Sequence, residues 1–299
     1  MKNFLITGGC GFVGSHMTEK LVNEGHSVTI IDDLTTGKKE NIADLLDKVE
    51  LIHGDIRDFD LVKNCTKNKD GIFHFAAKAS VLESFHNPAE YFDVNVKGTK
   101  NVFQNALEEG IKVVYASSSS VYGNQTKMPI QEDFAYNPIN PYAETKVDCE
   151  KLAIEYAKKK LEVIGMRFFN IFGERQSMNY AGVITLFLDR IKNKLHPKIN
   201  GTGSQIRDFI FVKDVVEANF MAMQSDVNHE FFNVGTGQQT SILKLAEMII
   251  EISKLDLSPE FQEGLPGDIK ESIANIELIR KKIGWNPKTS LKEWLVTKI

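Results

Sequence analysis

Short apolar runs, "NFLIT", "SVTIID", "VELIH", "GIFHFAA", "KVVYASS" and "LEVIGMRFF", alternate with helix-like stretches near 12–24, 57–68, 88–109 and 141–160. This alternation restricts the fold more than any other feature of the chain. Consecutive strands separated by helices need crossover connections, and crossovers build a parallel sheet covered by helices. The crossovers are expected to be right-handed. Beyond about residue 170 the alternation loosens, with helices near 182–193, 214–224, 241–253 and 275–284 and loops such as "NGTGSQ" and "EGLPGD". The expected architecture is α/β: a doubly wound parallel sheet over 1–170, re-entered around 207–240, with a smaller mixed lobe from 171–206 and 241–299. Neither a repeat nor a polar linker separates the two parts.

A chain of 299 residues is long enough to bury a substantial core. Its net charge of -4, with Lys and Arg dispersed, argues against an electrostatic nucleic-acid binder. The opening "MKNFLITGGCGFVGSH" holds only a five-residue apolar run before its glycines, too short for a signal peptide or membrane span, so a cytoplasmic location is expected. Cys10, Cys65 and Cys149 are too few and too scattered for a disulfide framework or zinc site, and read as packing residues. His16, His53 and His74 lack metal-ligand spacing, so no metal is expected and they read as structural. Trp285 and Trp294 read as packing residues of the second lobe.

Gly8, Gly11 and Gly14 follow the first strand and open the first helix. Glycines there permit a tight turn and let backbone N–H groups approach a pyrophosphate, whose charge the helix N-terminus favours. The first two glycines stand one residue further apart than in the G-x-G-x-x-G pattern. Asp32, at the end of the second strand, is placed to accept hydrogen bonds from ribose hydroxyls and to repel a ribose 2'-phosphate. NAD is therefore expected in preference to NADP, with Asp33 beside the same ribose and Lys38 and Lys39 softening the preference.

"YAETK" places Tyr142 and Lys146 one helical turn apart on the same face. A phenol with an ordinary pKa of about 10 is a poor base at neutral pH, and bringing it near 7 takes roughly 4 kcal/mol of preferential phenolate stabilisation. A neighbouring ammonium and the positive nicotinamide ring both act in that direction. Upstream, "YASSSSVYG" loads the C-terminal end of a strand with hydroxyls, where ligands bind in open α/β sheets.

The ordered set "TGGCGFVG", "HFAAKASV", "NVKGTKNV", "SSSSVYG", "YAETK", "RFFNIFG" and "RDFIFVKDVVEA" resembles the extended short-chain dehydrogenase/reductase family, in particular its nucleotide-sugar 4-epimerase branch. The resemblance covers nearly the whole chain and implies a Rossmann-type sheet. It implies that Tyr142 is the catalytic base, Lys146 its ribose-binding partner and Ser118 the catalytic serine. It implies cofactor contacts from Phe12, Val13, Asp55, Ile56, Phe75, Ala76 and Ala77, and substrate contacts from Ser80, Asn170, Val183, Arg207, Asp268 and Ser272. Arg207 suits a diphosphate because its planar fork pairs phosphate oxygens, although Asp208 beside it could instead claim it as a surface ion pair.

For the reaction, the resemblance implies removal of the sugar 4-hydroxyl proton by Tyr142, a 4-keto intermediate that turns over, and return of hydride to its other face. Dehydratases and decarboxylases similar to this family carry acids after the catalytic hydroxyl residue, whereas this chain has Ser119 and Ser120. The expected substrates are UDP-glucose and UDP-galactose, with UDP-N-acetylhexosamines admitted by the small Ser272. Other epimerases, dehydratases and reductases of the family, and a non-catalytic NAD-sensing protein, are the alternatives. A homodimer formed through the Tyr-Lys helix and the helix before it is likewise implied. Two departures stand out: Leu265 replaces a second diphosphate arginine, with Lys270 a candidate substitute, and Asn275 replaces an aspartate.

Overall fold

The computed structural model describes residues 1–178, 182–264 and 269–299. The first six strands are β1 (Asn3–Thr7), β2 (Ser27–Asp32), β3 (Glu50–His53), β4 (Gly71–His74), β5 (Val113–Ser118) and β6 (Val163–Phe168). Short strands come next: β7 (Asn170–Phe172), β8 (Lys198–Asn200), β9 (Ile206–Arg207) and β10 (Phe209–Phe211). The last are β11 (His229–Val234), β12 (Thr240–Ser241), β13 (Glu260–Gln262) and β14 (Glu271–Ser272). Seven strands form one parallel sheet in the order β11-β6-β5-β4-β1-β2-β3, a Rossmann-like arrangement that reverses direction beside β1. The edge strand β11, "HEFFNV", is absent from the sequence-based strand set because it opens on the polar His229 and Glu230 and has Asn233 near its end, leaving too short an apolar run.

The helices are α1 (Phe12–Asn23), α2 (Phe59–Thr66), α3 (Val81–His86), α4 (Pro88–Tyr91), α5 (Gly98–Glu109) and α6 (Pro141–Lys158), with a π-type segment Phe92–Lys97 joining α4 to α5. They continue with α7 (Val183–Lys192), α8 (Val212–Gln224), α9 (Ile242–Ser253), α10 (Glu277–Ile283) and α11 (Leu291–Val296). Alternate strand residues face opposite ways, so each face of the sheet acquires its own core. Phe4, Ile6 and Ile30 pack with Met17 and Leu21 of α1 and Val215 and Phe220 of α8. Leu5, Ile31 and Ile72 face the other way, toward Val62 of α2, Phe103 of α5 and Ala153 of α6. A third cluster joins Phe172, Phe187, Phe211, Leu245 and Trp294. Trp285 corrects the sequence expectation, because it packs in the first of these cores and donates its indole N–H to the Asp214 carbonyl (3.1 Å).

The three smaller sheets, β10-β7, β12-β9-β14 and β13-β8, assemble mostly from the second half of the chain. Asp208, fully buried between β9 and β10, ties the first two of them to the main sheet. Its carboxylate accepts from Thr236 N (2.8 Å), Thr236 Oγ1 (2.6 Å), Gly237 N (2.8 Å) and Ala274 N (3.1 Å). Asp208 is therefore occupied by these donors, in place of the surface pairing with Arg207 that the sequence left open.

His74, at the end of β4, is buried between Thr7 Oγ1 (2.6 Å from Nδ1) and Thr99 Oγ1 (2.9 Å from Nε2). Burial, reinforced by the Lys146 charge, pulls its pKa from the ordinary 6.5 down to about 3. The folded state thus holds the neutral ring, and the stability this confers is complete above pH 6.5 and is lost as pH falls toward 3. Between pH 7 and 5 this residue should remove about 2 kcal/mol of stability. Urea midpoints at the two pH values should show that loss in the parent and not in His74→Gln; equal losses would disprove the assignment.

Candidate active site

The turn from β1 into α1 is shaped by contacts no side chain could share. Gly8 adopts φ +72°, and a Cβ there would lie 2.7 Å from Ala76 N. At Gly14 a Cβ would fall 2.0 Å from the Gly8 carbonyl oxygen, so α1 can pack this tightly on β1 only without one. The α1 N-cap, Gly11, supplies no side-chain hydrogen bond, and the first turn carries no acid. By contrast α2, α6 and α9 are capped by Asp58, Asn140 and Ser241. The opening N–H groups of α1 thus have no side-chain cap and form an anion-binding end.

Asp32 closes β2 beside this turn. Its oxygens accept Cys10 N (2.8 Å) and Leu34 N (2.8 Å), which aim the carboxylate and leave further lone pairs for hydroxyl donors. Burial, the largest influence, raises its pKa above the ordinary carboxylate value. Asp33 accepts Thr35 N (2.9 Å). Hydrogen bonds from Arg57 hold the Asp55 carboxyl below its usual range. Cys10 is buried, and its thiol is pushed up to about 12 by burial first and Asp32 second, which leaves it unreactive.

A cavity of about 660 Å³ runs along the C-terminal edge of the sheet. Its wall brings together Gly8, Gly11, Phe12, Val13, Gly14, Asp32, Asp33, Asp55, Ile56, Phe75, Ala76 and Ala77 with Ser118, Tyr142 and Lys146. A dinucleotide fits this wall chemically: a carboxylate for ribose at β2, an uncapped helix end for diphosphate at β1, and the Tyr-Lys pair beyond β4. Among the described residues, the remaining substrate candidates stand outside it. Ser80 caps α3 by accepting Glu83 N (3.1 Å), and Val183 opens α7 against the third core. The Asn170 amide donates to the Asp208 carbonyl (3.3 Å). Arg207 and Ser272 are register partners in the β14–β9 pair. Asp268 and Leu265 lie outside the described residues. Lys270 is exposed, with its backbone N–H on Asn124 Oδ1 (3.2 Å).

Tyr142 is the second residue of α6, after Pro141 and the Asn140 cap, which accepts Ala143 N (2.8 Å). Lys146, buried one turn on, places Nζ 5.8 Å from the Tyr142 ring centre and donates to the Ala116 carbonyl of β5 (2.8 Å). Ser118 ends β5, its Oγ accepting Ser120 N (3.1 Å). Among the described residues the carboxylates in the cavity wall are Asp32, Asp33 and Asp55, at the β2–β3 side. Strands β2 and β5 are three neighbours apart in the sheet, roughly 14 Å at the usual strand spacing.

The wall also contains Lys38, which the sequence placed near the ribose site, together with Thr35, Thr36, Asn41, Val94, Phe168 and the segment 175–178, which sequence reasoning did not single out. Asn41 had a local signal, its place in the polar loop after Asp32, where its amide donates to the Cys10 carbonyl (2.8 Å). Val94 and Phe168 look like core residues in sequence and carry no such signal. Asn95, just behind the wall, clasps the Lys78 backbone by accepting from its N–H (2.8 Å) and donating to its carbonyl (3.0 Å).

Comparison with known proteins agrees with this geometry. UDP-glucose 4-epimerase of Mycolicibacterium smegmatis is 37% identical over 296 residues, 97% of this chain and 95% of that protein. UDP-glucuronic acid decarboxylase 1 of Danio rerio is 34% identical over 306 residues, 98% of this chain and 71% of that protein. Among solved structures, UDP-N-acetylglucosamine 4-epimerase from Methanobrevibacter ruminantium M1, in complex with UDP-N-acetylmuramic acid, superposes with a TM-score of 0.95 at 37% identity, covering 99% of this chain and 96% of that one. The profile of the NAD dependent epimerase/dehydratase family matches residues 4–235. The chain belongs to that family of enzymes, and NAD is its cofactor.

Proposed function

We propose that the protein is a nucleotide-sugar 4-epimerase that interconverts UDP-glucose and UDP-galactose and also takes UDP-N-acetylglucosamine. The observation that carries this reading is a Tyr-Lys-Ser group in a cavity whose described carboxylates all stand at the opposite, β2–β3 side. Elimination of water or loss of CO2 from the sugar calls for added acid–base groups near C5 or C6, and Ser119 and Ser120 supply none. NAD+ held by the glycine turn and Asp32 supplies reversible hydride exchange at C4. Tyr142 takes the proton of the sugar 4-hydroxyl and later returns it. Lys146 stands beside the phenol ring, and Ser118 Oγ hydrogen-bonds the sugar oxygen as its proton moves. The proposed sugar and diphosphate contacts come from the smaller lobe, 171–206 and 241–299, and from residues of the first part: Arg207 and Asn170 as diphosphate donors, Val183 and Asp268 as further substrate contacts, and Ser80 and Ser272 for the sugar.

The chain is further proposed to be cytoplasmic and to act as a homodimer through α6 and the 88–109 segment, whose Phe92 is 42% exposed. No helix among the described residues is long and apolar enough to cross a membrane. Sedimentation equilibrium should give twice the monomer mass for the parent and a weaker dimer for Phe92→Asp; a monomeric parent refutes the pairing.

Purified protein incubated with UDP-glucose or UDP-N-acetylglucosamine should yield the C4 epimer with no net growth of the absorbance band of reduced nicotinamide. Tyr142→Phe should lower turnover by roughly 10²- to 10⁴-fold while retaining NAD. Accumulation of reduced cofactor, or a decarboxylated product from a UDP-uronic acid, would exclude the epimerase reading. Gly14→Ala forces a methyl onto the Gly8 carbonyl and should weaken NAD binding roughly 10- to 100-fold, equivalent to about 1–3 kcal/mol of overpacking, as read by calorimetric titration of cofactor-free protein.

A further inference from the structure

Four-residue spacing continues past the Tyr-Lys pair: Glu150 lies one turn beyond Lys146 on the same face of α6. It is fully buried. Its carboxylate accepts Ser117 Oγ, Arg167 Nε (2.9 Å) and Arg167 Nη2 (2.7 Å). Ser117 immediately precedes Ser118 on β5, and Arg167 is its register partner on β6. One residue earlier on β5, the Ala116 carbonyl receives Lys146 Nζ. The helix bearing Tyr142 and the strand bearing Ser118 are thus joined by two polar rungs, one turn apart.

Arg167 also anchors the chain beyond Ser118. Its Nη1 donates to Tyr122 Oη (2.6 Å) and to the Glu132 carbonyl (2.7 Å), and Tyr122 in turn donates to Asn233 Oδ1 on β11 (2.7 Å). A buried ion pair adds little net stability, because desolvation offsets most of the attraction. Its geometry is the more consequential property. Apolar contacts alone allow a helix small slides along a sheet, whereas a forked guanidinium–carboxylate pair fixes both distance and orientation.

We propose that Glu150 and Arg167 are positioning residues that set α6 against β5, and so place Tyr142 and Lys146 relative to Ser118. The proposal rests on the 4-epimerase reading for its kinetic expression and on the geometry alone for its structural one. Misplacement of reacting groups by about 1 Å costs on the order of 10²-fold in rate.

The test uses the NAD-loaded protein, Glu150→Gln, and the double variant Glu150→Leu with Arg167→Met. The double variant leaves no unpaired buried charge and should keep its melting temperature within a few degrees of the parent. Its kcat should fall roughly 10- to 100-fold with KM for the nucleotide sugar within about threefold. Glu150→Gln keeps one acceptor for Arg167 and should lose less. A double variant that melts like the parent and retains kcat within twofold overturns the proposal. Hydrogen exchange read by mass spectrometry supplies an arm independent of turnover: residues 116–119 and 141–147 should exchange faster in the double variant. If the parent proves inactive on every nucleotide sugar, the functional reading fails while this arm still decides, and unchanged exchange in both segments refutes positioning.

Discussion

Parallel strands deliver their C-terminal ends to one edge of the sheet, and the site depends on that geometry. Thr7, Asp32, His74 and Ser118 each end a strand of the same sheet, so the turns that follow them, scattered across more than a hundred positions, meet along one groove. The order of the strands then assigns chemistry along its length. The reversal beside β1 opens the crevice, β2 and β3 put carboxylates at one end, and β5 puts hydroxyls at the other. Separation of the acidic end from the Tyr142 end follows from strand order alone.

Legibility in the sequence tracked the range of the interactions. The glycine turn and the Tyr142–Lys146 spacing were readable because each is a local pattern whose meaning is set by a helix or strand period. Six strands were readable for the same reason. β11 was not, because its apolar run is short and only partnership with β6 makes it a strand. Glu150, Arg167 and Asp208 look like ordinary surface charges in sequence and are fully or almost fully buried in the fold. Their partners lie 17 to 66 positions away, where no spacing rule reaches. Trp285 was placed with the wrong core for a similar reason, since the Asp214 carbonyl it meets is 71 residues upstream.

The substitution at Asn275 shows how a departure from a family pattern can be absorbed locally. Its backbone N–H reaches the Ile130 carbonyl (2.8 Å), and its side-chain oxygen accepts Glu277 N (2.8 Å) at the entrance to α10. Asparagine supplies an acceptor of the same shape as aspartate, so the turn into the helix is kept without the charge. Asn124 and Asn233 likewise use amides to join the loop near residue 130 to Lys270 and Asn275, while Gln125 closes that loop on the Ala135 carbonyl.

The four donors that surround Asp208 come from residues 236, 237 and 274. During synthesis the nucleotide half of the groove, built from strands ending by Phe168, is available to collapse long before Ala274 leaves the ribosome. Until that residue arrives, Asp208 lacks one of its donors, and the small sheet carrying Arg207 lacks β14. Nascent chains shortened between β11 and β14 therefore carry the elements for docking a dinucleotide but an unfinished smaller lobe, a division of labour written into the order in which the polypeptide is made.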